Sequence, residues 1–302
     1  MPNNLDAFVP EIWSRNLIAN IDQNNVAKAV MTNSDYEDEI RNFGDTVQVR
    51  TFGNITVSPY TRGTTIVPQS LVPVRETLLI DDAKYFAFDV DSLDIAQNDV
   101  NAIQGYTGRA GVAISNAIDT YIFTKAFAGA LAGNAIGTAA TPINITADTA
   151  GTAVYQQLVA CGLKLDSANV PAQGRWIIVT PYVKSLMLQS TTYFLRATDM
   201  GDSVVRSANL GAADAARVGF IGQAAGFDVY VSTNLPTNAT YWANLFGQNS
   251  PVCYAAQIPP GTLEVLRLET TFATRVRGLL LEGAQVFAED SKKLGVLYTD
   301  NS

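Results

Sequence analysis

Gly53-Asn-Ile55-Thr-Val57-Ser-Pro59-Tyr60-Thr-Arg62-Gly-Thr-Thr-Ile66-Val67-Pro68-Gln-Ser-Leu71-Val-Pro73-Val74 lies between two strand-like runs, residues 46–52 and 78–90. Its β-branched residues favour extended backbone. Pro59, Pro68 and Pro73 forbid a helix and argue against a central strand. The stretch therefore reads as a long, protruding two-stranded arm with no core of its own. An isolated two-stranded ribbon is marginal in water. Such an arm needs a surface to lie on, and a second copy of the same chain supplies one. The reading points to assembly rather than catalysis.

Composition agrees. The chain has 302 residues, enough for two domains or for one domain with insertions. Hydrophobic residues make up 47% and charged residues 16%, so a large core is available and the surface is poor in charge. That suits a protein that hides surface in interfaces, and it equally suits a Thr/Asn/Gln-coated monomer. A net charge of −8 disfavours direct binding to nucleic-acid phosphates, and Lys292-Lys293 is no more than a basic pair. It does not oppose enclosing nucleic acid, because counterions screen like charges over about 10 Å.

The chain has no histidine, which removes the commonest general base and metal ligand and every Ser-His-Asp or Cys-His arrangement. Two cysteines, Cys161 and Cys253, cannot build the usual four-ligand zinc site, and both read as buried free thiols. No metal site, cofactor site or catalytic residue is expected. Residues 219–226 resemble a phosphate-binding loop only in glycine spacing; they lack the lysine and read as a hairpin turn. Asp81, Asp82, Asp89, Asp91 and Asp94 read as a solvated strand end or a salt-bridging face for a neighbour. No Gly-x-Ser-x-Gly elbow is present. The opening residues lack a positive start and an apolar run, and no stretch is long and apolar enough to span a membrane. The expectation is a soluble protein made in a cytoplasm.

The remaining elements follow from periodicity. Residues 8–29 read as an N-terminal helical arm, with Pro10 at its first turn and Trp13 as a core anchor or a docking residue. Residues 31–43 form a polar connector. Residues 91–101 form an acidic turn, capped at Asn98 or Asp99. From there to Ala128, the positions Ile103, Ala110, Ile114, Ala117, Ile118, Tyr121 and Ile122 recur at steps of three and four on one helical face. Such a rod is roughly 45 Å long. Residues 129–152 read as a loop. Residues 154–165 read as a second helix with Val154, Leu158, Cys161, Leu163 and Leu165 inward. Residues 175–180 are a buried strand, and Thr180-Pro181 opens a third helix that runs to about Gln189. Residues 191–213 read as a polar loop. Residues 218–222 and 227–232 form a hairpin. Residues 262–274 and 279–290 read as two antiparallel strands with Arg275, Arg277 and Gly278 at their turn, and residues 294–298 as a last strand. The fold class is α+β, with mixed short sheets around one long helix.

This order of elements resembles the major capsid proteins of tailed bacteriophages, near the branch of the coat protein of Salmonella phage P-twenty-two. The likeness rests on Phe8-Val-Pro-Glu-Ile-Trp-Ser14, on Tyr36-Glu-Asp-Glu-Ile-Arg-Asn-Phe-Gly-Asp-Thr-Val47 and on Gly222-Gln-Ala-Ala-Gly-Phe-Asp-Val-Tyr-Val-Ser-Thr-Asn-Leu-Pro236. It implies an HK97-like fold: an N-terminal arm (1–43), an extended loop with base strands in a peripheral domain (44–92), a spine helix (98–128) within peripheral residues 93–150, an axial domain (151–257) and a peripheral return (258–302). It implies pentamers and hexamers closing an icosahedral head around double-stranded DNA without sequence-specific binding. A separate scaffolding protein (or a removed segment), a portal and in some cases a cement protein would be the partners, and the virion would be the final location. Lysine is absent from residues 53–81, so the Lys–Asn crosslink of some members is not carried over. The expected intersubunit residues are Tyr60, Arg62, Ile66, Val67, Leu71, Arg75 and Glu76 on the loop, with Trp13 docking the arm. An encapsulin-type compartment on the same fold is the alternative. A monomeric carbohydrate-binding or hydrolytic β-rich protein is the more distant one.

Overall fold

The computed structural model describes residues 25–33, 46–51, 55–63, 65–66, 68–70, 74–91, 102–145, 152–189, 220–258, 263–268 and 271–300. Its elements in order are α1 (Val26–Met31), β1 (Thr32–Asn33), β2 (Thr46–Thr51), β3 (Val74–Leu79), β4 (Asp82–Asp91), α2 (Ala102–Gly129), α3 (Thr152–Ser167), β5 (Arg175–Val179), α4 (Pro181–Gln189), β6 (Phe220–Ala224), β7 (Phe227–Val231), β8 (Tyr241–Gln248), β9 (Val252–Ile258), β10 (Leu263–Arg267), β11 (Ala273–Val286) and β12 (Leu294–Asp300). The α+β class is borne out.

The long helix forms as its spacing predicts. α2 runs for 28 residues, about 42 Å. Ile118, Ile122, Phe123 and Ala126 are buried along it, against α1, β8, β9, β11 and β12. Two sheets flank this rod. In the first, β11 is the centre. It pairs antiparallel with β4 along residues 273–282, with β10 along 274–278 and with β9 along 281–286, and β1 adds in parallel to β9. The second sheet has the order β12-β8-β5-β7-β6. β5 lies inside it and is buried at every residue, as its unbroken apolar run requires. α3 and α4 cover this sheet through Val154, Leu158, Cys161, Leu165, Val183, Leu186 and Met187.

Three expectations are corrected. Residues 78–90 are not one strand: β3 ends at Leu79, and β4 begins at Asp82 in a different sheet. Arg275, Arg277 and Gly278 are not a turn but the middle of β11. Alternation puts Arg275 and Arg277 on the face of the sheet away from α2, opposite Asp89 and Glu264. Gly278 is there because the Phe86 ring packs over it: an added Cβ would stand 2.3 Å from a ring carbon. Leu163 is 65% exposed, because the helical period brings 154, 158, 161 and 165 to the core and leaves 163 off that stripe. Asp81, Asp82 and Asp89 each have an ion-pair partner within the chain, and Asp94 lies outside the described residues.

The glycine-rich hairpin is a hairpin. Ala225 and Gly226 both have positive φ (49° and 82°) between β6 and β7, the pattern of a type I′ turn. Both cysteines are free and buried, and burial pushes the Cys161 thiol far up. A different glycine seats the ribbon. At Gly283 an added Cβ would lie 2.5 Å from the Leu79 carbonyl oxygen and 3.0 Å from the Ile80 Cα. Both neighbours are backbone, so Gly283→Ala must displace the β3–β4 junction. It should cost about 1–3 kcal/mol. A denaturant titration of the unassembled subunit reads this directly, and an unchanged midpoint would show that the junction yields freely.

Candidate assembly interface

Among the described residues β2 and β3 pair only with each other, in register from Thr46↔Leu79 to Thr51↔Val74. Beyond that ladder residues 55–61 have no regular secondary structure and lead to a turn at Arg62-Gly63, where Gly63 has φ 92°. A bond from the Thr56 N–H to the Gln69 Oε1 (2.9 Å) ties the two limbs. Ile55 is 73% exposed, Val57 91%, Tyr60 67% and Ile66 78%. Four large apolar side chains in water on one thin ribbon is unusual for a solvated loop. Arg62 and Arg75 are exposed. Glu76 is half-buried, and its Oε2 accepts the Ala288 N–H (2.9 Å), so it has an intrachain partner at the ribbon root. Val67, Leu71 and Trp13 lie outside the residues whose side chains are described.

The root itself is well built. Leu78 and Ile80 are buried with Cys253, Ala255, Leu281 and Phe287. A polar cluster adjoins them. Asp81 accepts from Tyr121 Oη (2.7 Å) and from Lys125 Nζ (3.0 Å), both on α2. Lys84 of β4 pairs with Asp82 and with the fully buried Glu282 of β11. Glu282 also accepts from Tyr254 Oη of β9 (3.0 Å). The Lys84 ammonium stands 4.7 Å over the Tyr121 ring and that of Lys125 5.3 Å. Burial pushes the Glu282 carboxyl up, against the pull of Lys84 and Tyr254. Burial works against ionised Asp81 too, but Tyr121 and Lys125 hold it below the usual carboxylate range. No spacing rule announces this cluster, because its members come from four separate elements.

A second exposed surface is the face of the first sheet turned away from α2. Tyr85 (82% exposed) stands opposite Leu279 (45%) in the ladder. Arg275–Asp89 and Arg277–Glu264 flank that pair. Between α2 and this sheet lies a groove of about 380 Å³, lined mainly by Ala110, Ala113, Ile114, Ala117, Phe86 and Leu280. Among the described residues no group of three or more acidic or cysteine side chains is placed to hold a metal, and no helix is long and apolar enough to cross a membrane.

Comparison with known proteins adds the family. No curated protein matches the sequence. Among solved structures, one described as Mycobacterium phage Che8 superposes with a TM-score of 0.64 at 23% identity, covering 90% of each chain. The capsid of cyanophage P-SCSP1u gives 0.61 at 17% identity, covering 90% of this chain and 86% of that one. A virus-like particle from Pyrococcus furiosus gives 0.54 at 12% identity, covering 95% and 98%. At these identities the likeness is one of fold. Residues 75–288 match the family described as phage capsid protein. That match spans most of the chain and holds the ribbon root, the long helix and most of both sheets, so the chain belongs to the phage capsid protein family, as residues 8–14, 36–47 and 222–236 led us to expect.

Proposed function

We propose that this capsid protein is the shell-forming subunit of a tailed phage head, assembling as pentamers and hexamers into an icosahedral shell around double-stranded DNA. Its role is structural rather than catalytic. The observation that carries the reading is the ribbon, which exposes Ile55, Val57, Tyr60 and Ile66 and, among the described residues, packs on its own chain at its root. Burying those side chains on a neighbouring copy is worth about 25 cal/mol per Å². Charge supports the same partner. Residues 46–79 carry three arginines and one glutamate on a chain of net charge −8, so the ribbon is attracted to the body of another copy. The exposed Tyr85–Leu279 face supplies an apolar patch on that body.

In this reading Tyr60, Arg62, Ile66, Val67, Leu71 and Arg75 form the intersubunit contact, and Trp13 docks the N-terminal arm. Residues 1–43, 44–92, 93–150, 151–257 and 258–302 serve as arm, extended loop, spine with peripheral sheet, axial domain and peripheral return. Two strands link the parts: β9 belongs with β11, and β12 belongs with β8. A scaffolding protein, a portal and a cement protein are the expected partners, with assembly in the host cytoplasm.

Electron microscopy of the purified full chain tests the proposal. Closed particles of uniform diameter are expected; a monodisperse monomer at high concentration would overturn it. Particles released from infected cells should contain double-stranded DNA. Particles loaded with protein cargo and free of nucleic acid would favour a compartment of the same fold.

A further inference from the structure

We infer that Asp81, Tyr121 and Lys125 form a latch that sets the angle between the ribbon and the long helix, and that this angle fixes the curvature of the shell. The inference rests on the shell-forming role proposed above and assigns it positioning residues. Among the described residues β2 and β3 pair with no other strand, so no described sheet register fixes the direction of the ribbon. The covalent link from β3 into the body is the two-residue step Ile80-Asp81, and on the β3 side the root is also held by the packing of Leu78 and by the bond from the Ala288 N–H to Glu76 Oε2. Ile80 is buried beside Leu281 and Cys253, which holds the step in place but, being apolar packing, does not by itself select one rotation. Asp81 does. Both of its carboxylate oxygens are taken, one by Tyr121 Oη and the other by Lys125 Nζ. Two directional bonds to residues one helical turn apart define a plane as well as a distance. The ribbon reaches from this step to the turn at Arg62-Gly63, so a small rotation at the step becomes a large displacement at the ribbon tip. Lys84 and Lys125 both lie against the Tyr121 ring, which keeps its hydroxyl aimed at Asp81. Asp81 and Lys125 are 42% and 32% exposed, so the latch adds little to the stability of the fold. A bond that contributes little to folding yet orients the assembling element is a positioning bond.

The test uses the full chain with Asp81→Asn, Lys125→Met and Tyr121→Phe, read by thermal melts of the unassembled subunit and by particle diameters in electron micrographs. The expected result is melting close to wild type for all three, with loss of the single diameter: mixed sizes, open sheets or tubes. Lys125→Arg should restore uniform particles. Wild-type diameters from Asp81→Asn and Lys125→Met would overturn the inference, and so would variants that melt earlier yet close normally. Should those two fail to fold, Tyr121→Phe decides alone, since it keeps the ring and the ion pair; uniform particles from it would count against the latch. Failure of the wild type itself to close shells would overturn the shell-forming reading and this one together, whereas uniform variant particles beside uniform wild type overturn only this one.

Discussion

Deleting residues 58–72 should leave a folded subunit that forms no closed shell. The deletion removes Tyr60 and Ile66, which are exposed, and spares every side chain that seats the root: Leu78, Ile80, Cys253, Ala255, Leu281 and Phe287. It also spares the β2–β3 ladder and the Glu76–Ala288 bond. None of the described residues of the deleted segment belongs to either large core cluster. The melting temperature of the unassembled subunit should therefore stay within a few degrees of wild type, because surface changes away from packed features are worth only about ±0.5 kcal/mol. Assembly is a different matter. An intersubunit contact repeats at every subunit, so its loss is multiplied over the shell. Removing Arg62 alone should matter far less, since an exposed ion pair contributes roughly 0–1 kcal/mol. Shells of normal size from the deletion would refute the clasp role of the ribbon outright.

The second large effect concerns Asp119. This carboxylate is buried in the middle of α2, and its two oxygens accept the Val26 and Ala27 N–H groups at the first turn of α1, each at 3.1 Å. Burial pushes it up to about 7, against the opposing pull of those two donors and of Asn234. Its folded-state value thus lies above its ordinary one, and the native state holds a proton that the unfolded chain has released. The stability this group contributes is fully present below about pH 4 and is lost as the pH rises through about 7. The full change is on the order of 4 kcal/mol, at 1.36 kcal/mol per unit. Glu282 is shifted in the same direction and Asp81 in the opposite one, so the raw pH profile is a sum. The informative quantity is the difference between wild type and Asp119→Asn, which cannot titrate. Measured by urea unfolding of the subunit, wild type should gain on the variant as the pH falls from 8 to 4. Parallel profiles would show that Asp119 stays ionised throughout.

What could be read from the sequence depended on how local the cause was. The long helix was legible because Ile114, Ile118 and Ile122 recur at its own period. β5 was legible from five consecutive buried residues, and the β6–β7 hairpin from the Gly226 that its turn needs. The ribbon was legible because three prolines and many β-branched residues left extended backbone as the only choice. Causes lying far along the chain were not. Gly278 looked like a turn residue because the ring that requires it, Phe86, is distant in sequence. Lys84 and Glu282 lie 198 positions apart, and Asp119 stands 92 and 93 positions from the amides it caps. At the candidate interface, Tyr60, Arg62 and Ile66, which the sequence singled out, are exposed on the ribbon. Sequence missed the polar root, whose members carry no spacing signal, and the bond from the Ala288 amide to Glu76.

The place of β12 bears on how the protein is made. Leu294, Val296 and Leu297 are buried, and β12 covers the flank of β8 along seven paired residues. A nascent chain halted before residue 294 would present β8 as a bare, largely apolar edge, the kind that recruits other strands. Partly synthesised subunits would thus be sticky in the wrong way, joining edge to edge rather than by the ribbon. Chaperones that shield strand edges would have most to do in the moments before residues 294–300 arrive, and a truncation there should yield inclusion bodies where a ribbon deletion yields soluble subunits.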